Sequence, residues 1–180
     1  MDELTSLARA AGRGDGAALA RLVQQTQGEV WRMCAYLAGP DSADDLSQDT
    51  YLRAIPALRQ FRGDAPARVW LLAIARRACA AEIRTRSRDR RLTARLAATG
   101  GGPGQPAEPG AQAAVDELVA ALEPDRRAAF VLTQLLGCSY AEAATVCGCP
   151  VGTIRSRVAR AREDLDVMIA GPGHFLNAAH

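Results

Sequence analysis

The chain of 180 residues has no lysine, so all 22 of its positive charges are arginine. Its only histidines, His174 and His180, stand in the last ten residues, which leaves no Cys/His set for a zinc site. No paired carboxylates with a histidine base, metal-ligand cluster or phosphate-cradling glycine loop is present, so no catalytic residue, metal or cofactor is expected. Aromatic residues are scarce at 4%. Ala and Leu supply most of the apolar content, which favours helices over sheets, and the expected fold class is all-α. No leader-like segment and no run of about 18 apolar residues occurs, so the chain is expected to be soluble and cytoplasmic, with reduced thiols and no membrane contact. The five cysteines, at 34, 79, 138, 147 and 149, share no repeated spacing. Cys147-x-Cys149 could be a redox or metal pair, but small buried residues are the more ordinary reading.

What is present is arginine, unevenly placed. Residues 1–50 carry four Arg against eight acids, and residues 51–100 carry twelve Arg against three. The next fifty return to two against six, and the last thirty hold four against three. The net charge of +2 therefore hides segregated surfaces, as expected if one part meets a polyanion and another a different partner. Arginine suits the first role, because its planar fork matches phosphate and guanine.

The stretch Cys147 to Asp164 carries the clearest pattern. Pro150 stands where the first turn of a helix loses nothing by lacking an N–H. At helical spacing Ile154, Val158, Ala161 and Leu165 line one face, while Arg155, Ser156, Ala159 and Arg160 line another. Just before it, Ser139-Tyr140-Ala141-Glu142 reads as a capping box, Ala143, Ala144 and Val146 as a short helix, and Gly148 as a tight connection. A capped helix, a glycine turn and an arginine-faced second helix predict a helix-turn-helix that enters a major groove. The bland alternative is an amphipathic surface helix that happens to be basic.

Upstream, helices are expected over 2–11 and 16–38, with Leu19, Leu22, Val23, Val30, Met33, Cys34 and Leu37 as core. After Gly39-Pro40, Asp41 or Ser42 can cap a helix whose early acids suit its dipole. Asp45, Gln48 and Asp49 share one face beyond what capping needs, which suggests a partner surface. Pro56 is expected to break or kink this helix near residue 55. The loop from Phe61 through Arg62, Gly63 and Asp64 leads into a helix bearing Trp70, Arg76 and Arg77, on which Arg77, Arg84 and Arg88 form one stripe. Cations on a stripe beside aromatics suit melted DNA, although Trp70 alone is better explained as core.

Residues 98–114 hold Gly and Pro at a density expected neither to pack nor to form helix. The predicted organisation is a domain over 1–95, a flexible linker over 96–112, a second domain over 113–170 and a disordered tail over 171–180. In the second domain Val115, Leu118, Val119 and Leu122 are expected to line one helix, and Phe130, Val131, Leu132, Leu135 and Leu136 another.

Three separated stretches then match one family: Asp44 to Ala54; Phe61-Arg62-Gly63-Asp64 with Trp70-Leu71 and Ile74-Ala75; and Cys149 to Arg157 with Ala159 to Arg162. Together they resemble the extracytoplasmic-function (ECF) sigma factors of bacteria, which keep sigma regions 2 and 4 on a linker, and the Ala/Arg-rich composition looks actinobacterial. The resemblance implies a non-catalytic subunit that binds core RNA polymerase, through its β′ clamp helices and β flap, and promoter DNA, both double-stranded and melted. It places Asp45, Gln48, Asp49 and Arg53 on the polymerase. It places Phe61, Arg62, Gly63, Asp64, Trp70, Arg76, Arg77 and Arg84 on the proximal promoter element, and Tyr140, Thr153, Arg155, Ser156, Ala159 and Arg160 on the distal one. An anti-sigma factor is a further partner that such relatives often have. Some relatives carry an aromatic at the position of Ala159, an acid at Ala141 and Asn at Arg77, so the role is read more firmly than the promoter sequence. The rival reading is a free-standing helix-turn-helix repressor, which would dimerise on half-sites; no dimerisation helix is evident.

Overall fold

The computed structural model describes residues 2–96 and 111–170, with side chains over 2–89 and 114–170, and these residues are helical with no strand. Helices α1 (Glu3–Gly12), α2 (Gly16–Ala38), α3 (Ala43–Ala57) and α4 (Ala67–Leu96) make the first half. The second half comprises α5 (Ala111–Ala121), α6 (Pro124–Phe130), α7 (Tyr140–Cys147) and α8 (Val151–Ala170). Most of the expected linker and all of the expected tail fall at 97–110 and 171–180, outside the described residues. The expectation that 98–114 excludes helix needs correcting at its end, because α5 already begins at Ala111. Gln and Ala are good helix formers once the last Gly has passed.

Local chemistry sets the boundaries. Asp2 caps α1 by accepting from the Thr5 N–H at 2.9 Å, and Asp15 caps α2 by accepting from Ala18 at the same distance. Neither Asp41 nor Ser42 caps α3 through its side chain: Pro40–Ser42 forms a 3-10 turn, and the Ser42 hydroxyl instead meets Arg86. Pro56 lies within the last turn of α3, which ends one residue later in the 3-10 turn Leu58–Gln60. The carbonyl that loses its N–H partner belongs to exposed Leu52, so water can take its place.

The helix α6 continues as a π-helical turn over Val131–Leu135, closed by the Leu136 N–H on the Val131 carbonyl at 2.9 Å, and ends at Gly137 with φ +68°. The wider turn shifts the apolar register, so Val131 and Leu132 are buried while Leu135 is exposed, against expectation. Val115 is likewise exposed, whereas Val119 and Leu122 are buried.

Buried residues of α2 and α4, among them Val30, Met33, Leu72 and Cys79, are contiguous with Leu132, Ala143, Ile154 and Val158 of the second half. Helix α4 packs on α7, and both carry small buried residues, Ala75 and Ala78 on one and Ala143 and Ala144 on the other. Arginines complete the seam. Arg127 donates to the Leu37 carbonyl at 3.0 Å, and Arg68, paired with Glu29, also reaches the Leu136 carbonyl. A smaller apolar cluster of Ala8, Leu22, Leu58 and Ala67 closes the other end of the first half.

Candidate nucleic-acid interface

The helix-turn-helix is built as its residues dictate. The Ser139 hydroxyl accepts from the Glu142 N–H at 3.2 Å, while the Glu142 carboxylate accepts from the Ser139 N–H at 2.8 Å. The Ser139 N–H, and after it the Ser139 hydroxyl, which donates to the same carboxylate at 2.9 Å, hold the Glu142 carboxyl below its ordinary range. Gly148 then takes a left-handed conformation, φ +64°, that a residue with a Cβ would resist. On α8 Ile154, Val158 and Ala161 are buried and Leu165 is half-buried. Arg155, Ser156, Ala159 and Arg160 face solvent on α8, Thr153 is half-buried on the same helix, and Tyr140 is exposed at the start of α7. Such a face offers guanidinium forks, a hydroxyl and a methyl, the groups that read base edges in a major groove.

Arg157, between these residues in sequence, turns inward. It meets the Asp125 carboxylate and donates to the Cys149 sulfur at 3.7 Å. Asp125 also accepts from Arg76 of α4 at 3.3 Å. Arg76 is thus directed at the second half of the chain, where it lines a cleft with Arg84, while Arg77, Arg84 and Arg88 are all exposed along α4. The Arg77 guanidinium folds back on the Ala73 carbonyl at 3.0 Å.

The loop before α4 has a built shape. The Phe61 and Trp70 rings lie 5.1 Å apart, tilted by 48°, and residues 60–65 with Trp70 line a cleft of about 220 Å³. Trp70 also joins Arg53, Ala57, Ile74 and Arg77 around a second cleft of about 280 Å³. Half-buried, Trp70 lines both clefts and packs against the core. Arg62 and Asp64 are exposed at the rim and Gly63 is half-buried below them. Aromatic faces with flanking charges are the surface an unstacked base and its phosphates require.

On α3, Asp45 and Gln48 are exposed, and Asp49 pairs with Arg53 one turn on, at 3.0 Å from Nε and 2.8 Å from Nη2. Asp44, outside this set, accepts from the Trp31 indole at 2.8 Å. Leu52, 67% exposed, and Ile55 add apolar area beside the charges. That mixture is what a protein-binding surface carries.

All five cysteines are free thiols. Cys34, Cys79 and Cys138 are buried, and burial pushes the Cys147 thiol up to about 11. Among the described residues no group of His, Cys, Asp and Glu could hold a metal ion, and no helix is long and apolar enough to cross a membrane. Sequence reading missed Arg9, Arg68, Asp125 and Arg127, whose partners lie far along the chain and leave no local signal.

Comparison with known proteins agrees with this layout. Residues 22–89 match the family Sigma-70 region 2, and residues 112–165 match Sigma-70, region 4. The ECF RNA polymerase sigma factor SigC of Mycobacterium tuberculosis is 49% identical over 173 residues, covering 91% of this chain and 90% of that protein. The ECF RNA polymerase sigma factor EcfG of Rhodopseudomonas palustris is 38% identical over 137 residues, covering 72% of each. Among solved structures, CnrH in complex with the cytosolic domain of CnrY superposes with a TM-score of 0.74 at 28% identity, over 94% of this chain and 98% of that one. The sigma factor RpoE of Bartonella quintana, solved with the anti-sigma factor NepR, gives 0.70 at 27% identity, over 86% of this chain and 98% of that one. Two sigma regions in order do not favour the free-standing repressor. The chain belongs to the sigma-70 family as an ECF sigma factor, a subunit that binds RNA polymerase and directs promoter-specific initiation.

Proposed function

We propose that the two functions of a sigma factor are divided along this chain by charge, with carboxylates for the enzyme and guanidiniums for DNA. The first domain, residues 1–95, docks on the β′ clamp helices through Asp45, Gln48, Asp49 and Arg53, with Leu52 and Ile55 supplying apolar contact. Its loop from Phe61 to Asp64, with Trp70, takes a base flipped out of the proximal element, while Arg77 and Arg84 neutralise phosphates of the separated strand. Unstacking a base costs on the order of a few kcal/mol, which these contacts offset. Arg76 joins them only if it leaves Asp125.

The second domain, residues 113–170, presents Arg155, Ser156, Ala159 and Arg160 to the distal element, with Tyr140 and Thr153 at the edge, and touches the β flap. Residues 96–112 link the two. The chain is non-catalytic, acts in the cytoplasm and leaves phosphodiester chemistry to the polymerase. CnrH and RpoE were solved with protein partners, and by that likeness an anti-sigma factor is a partner class for this chain.

The observation that carries the reading is α8, where Ile154 and Val158 are buried while Arg155 and Arg160 stand in solvent on a capped motif. Adding the purified chain to sigma-free core polymerase should yield promoter-specific transcripts. Absence of any transcript from a broad set of bacterial promoters, with binding to DNA alone retained, would count against it.

A further inference from the structure

Helix α1 precedes the matched region 2, which starts at residue 22, yet it touches the loop before α4 at three points. At the loop's entrance, a Cβ on Gly12 would stand 2.3 Å from the Leu58 carbonyl oxygen, so the end of α1 and the 3-10 turn meet backbone to backbone. At its middle, the Arg9 Nη2 donates to the Arg62 carbonyl at 2.6 Å. The same guanidinium lies over Gly63, where a Cβ would come within 2.7 Å of Nη2 and 2.9 Å of Nε. Gly63 has φ +78°, a conformation glycine adopts without strain. At the exit, the Thr5 hydroxyl accepts from the Ala67 N–H at 2.9 Å and donates to Asp2 Oδ2 at 2.7 Å. Ala67 is the first residue of α4, so this hydroxyl satisfies one of that helix's unpaired donors.

We propose that Arg9 is a positioning residue for base recognition: its guanidinium, clamped on the Arg62 carbonyl with its Nε–Nη2 edge against Gly63, sets the loop in which Phe61, Asp64 and Trp70 receive the flipped base. The inference rests on the base-pocket reading above. Residues 61–65 form neither helix nor strand, so their shape depends on what they are tied to. A charge-assisted hydrogen bond to the central carbonyl is a strong tie. Gly12 and Thr5 fix the two ends, and Arg9 fixes the span between them. Arg9 itself is half-buried and need not touch DNA to act.

The test is strand opening by polymerase reconstituted with the full chain, on promoters carrying each of the four bases in turn at the flipped position. Arg9→Ala should flatten the base preference by about tenfold, the size of one lost charge-assisted hydrogen bond, with core affinity unchanged. Arg9→Lys, which keeps a donor, should recover part of it. Thr5→Val, which frees only the loop's exit, should give a smaller flattening in the same direction. A loss equal on all four bases, or a preference unchanged in Arg9→Ala while Phe61→Ala abolishes it, overturns the role of Arg9 alone. A preference unchanged in Phe61→Ala as well removes the base pocket and the proposal with it.

Discussion

Ile154 and Arg155 are neighbours in the chain and opposites in environment: the side chain of Ile154 is 0% exposed, and that of Arg155 stands in solvent. The two substitutions should therefore separate stability from recognition. Arg155→Ala should leave folding within about 0.5 kcal/mol of wild type and cost about 1–3 kcal/mol at one or two base pairs of the distal element. Ile154→Ala should cost about 2–5 kcal/mol of stability, read by urea unfolding.

On α3 the ion pair of Asp49 with Arg53 is exposed, so breaking it should barely alter folding, by less than about 1 kcal/mol. Asp49→Ala and Leu52→Ala should both weaken binding to core polymerase, measured by fluorescence anisotropy of labelled chain. Affinity unchanged in both would move the docking surface elsewhere.

The capping box predicts a pH dependence. The Glu142 carboxyl is held below its ordinary value of 4.5 by the Ser139 N–H and hydroxyl, so its folded pKa is depressed. A depressed carboxylate contributes stability above its unfolded pKa and loses it as pH falls through the folded one. The stability gap between wild type and Glu142→Ala should therefore be full at neutral pH, begin to narrow near 4.5 and lose its charge-dependent part below the folded pKa. A gap that does not change with pH in denaturant melts would contradict the box.

Asp125 ties together two arginines from different halves, Arg76 and Arg157, whose side chains are 20% and 24% exposed. Asp125→Ala leaves both half-buried guanidiniums without that partner. With solvent screening allowed for, the cost should be about 1–2 kcal/mol in urea unfolding. A variant as stable as wild type would mean that the seam does not depend on this carboxylate.

What the sequence makes legible here is local. Ser139 and Glu142 lie three residues apart, Gly148 marks the turn, and the period of Ile154, Val158 and Ala161 selects a buried face, so the helix-turn-helix is readable from short-range rules. The stripe of Arg77, Arg84 and Arg88 is readable for the same reason. Long-range partners are not. Arg9 meets Arg62 across 53 positions and Arg127 meets Leu37 across 90, and nothing near either arginine distinguishes it from its neighbours. Arg76 and Arg77 look alike in sequence, yet one residue of rotation sends the first to Asp125 and the second to solvent. The exposure of Leu135 follows from a π turn that no period of 3.6 anticipates. The Gly/Pro-rich stretch makes the division into two helical domains legible, whereas small residues such as Ala75 and Ala144 give no sign that α4 and α7 meet.

The most direct test is transcription by core polymerase plus this chain from a library of promoters randomised upstream of the start site. The account predicts enrichment of two short sequence blocks at a fixed spacing, the upstream block changing in Arg155→Ala and the downstream block in Phe61→Ala. Enrichment of a single palindrome, or of no sequence at all, would contradict it.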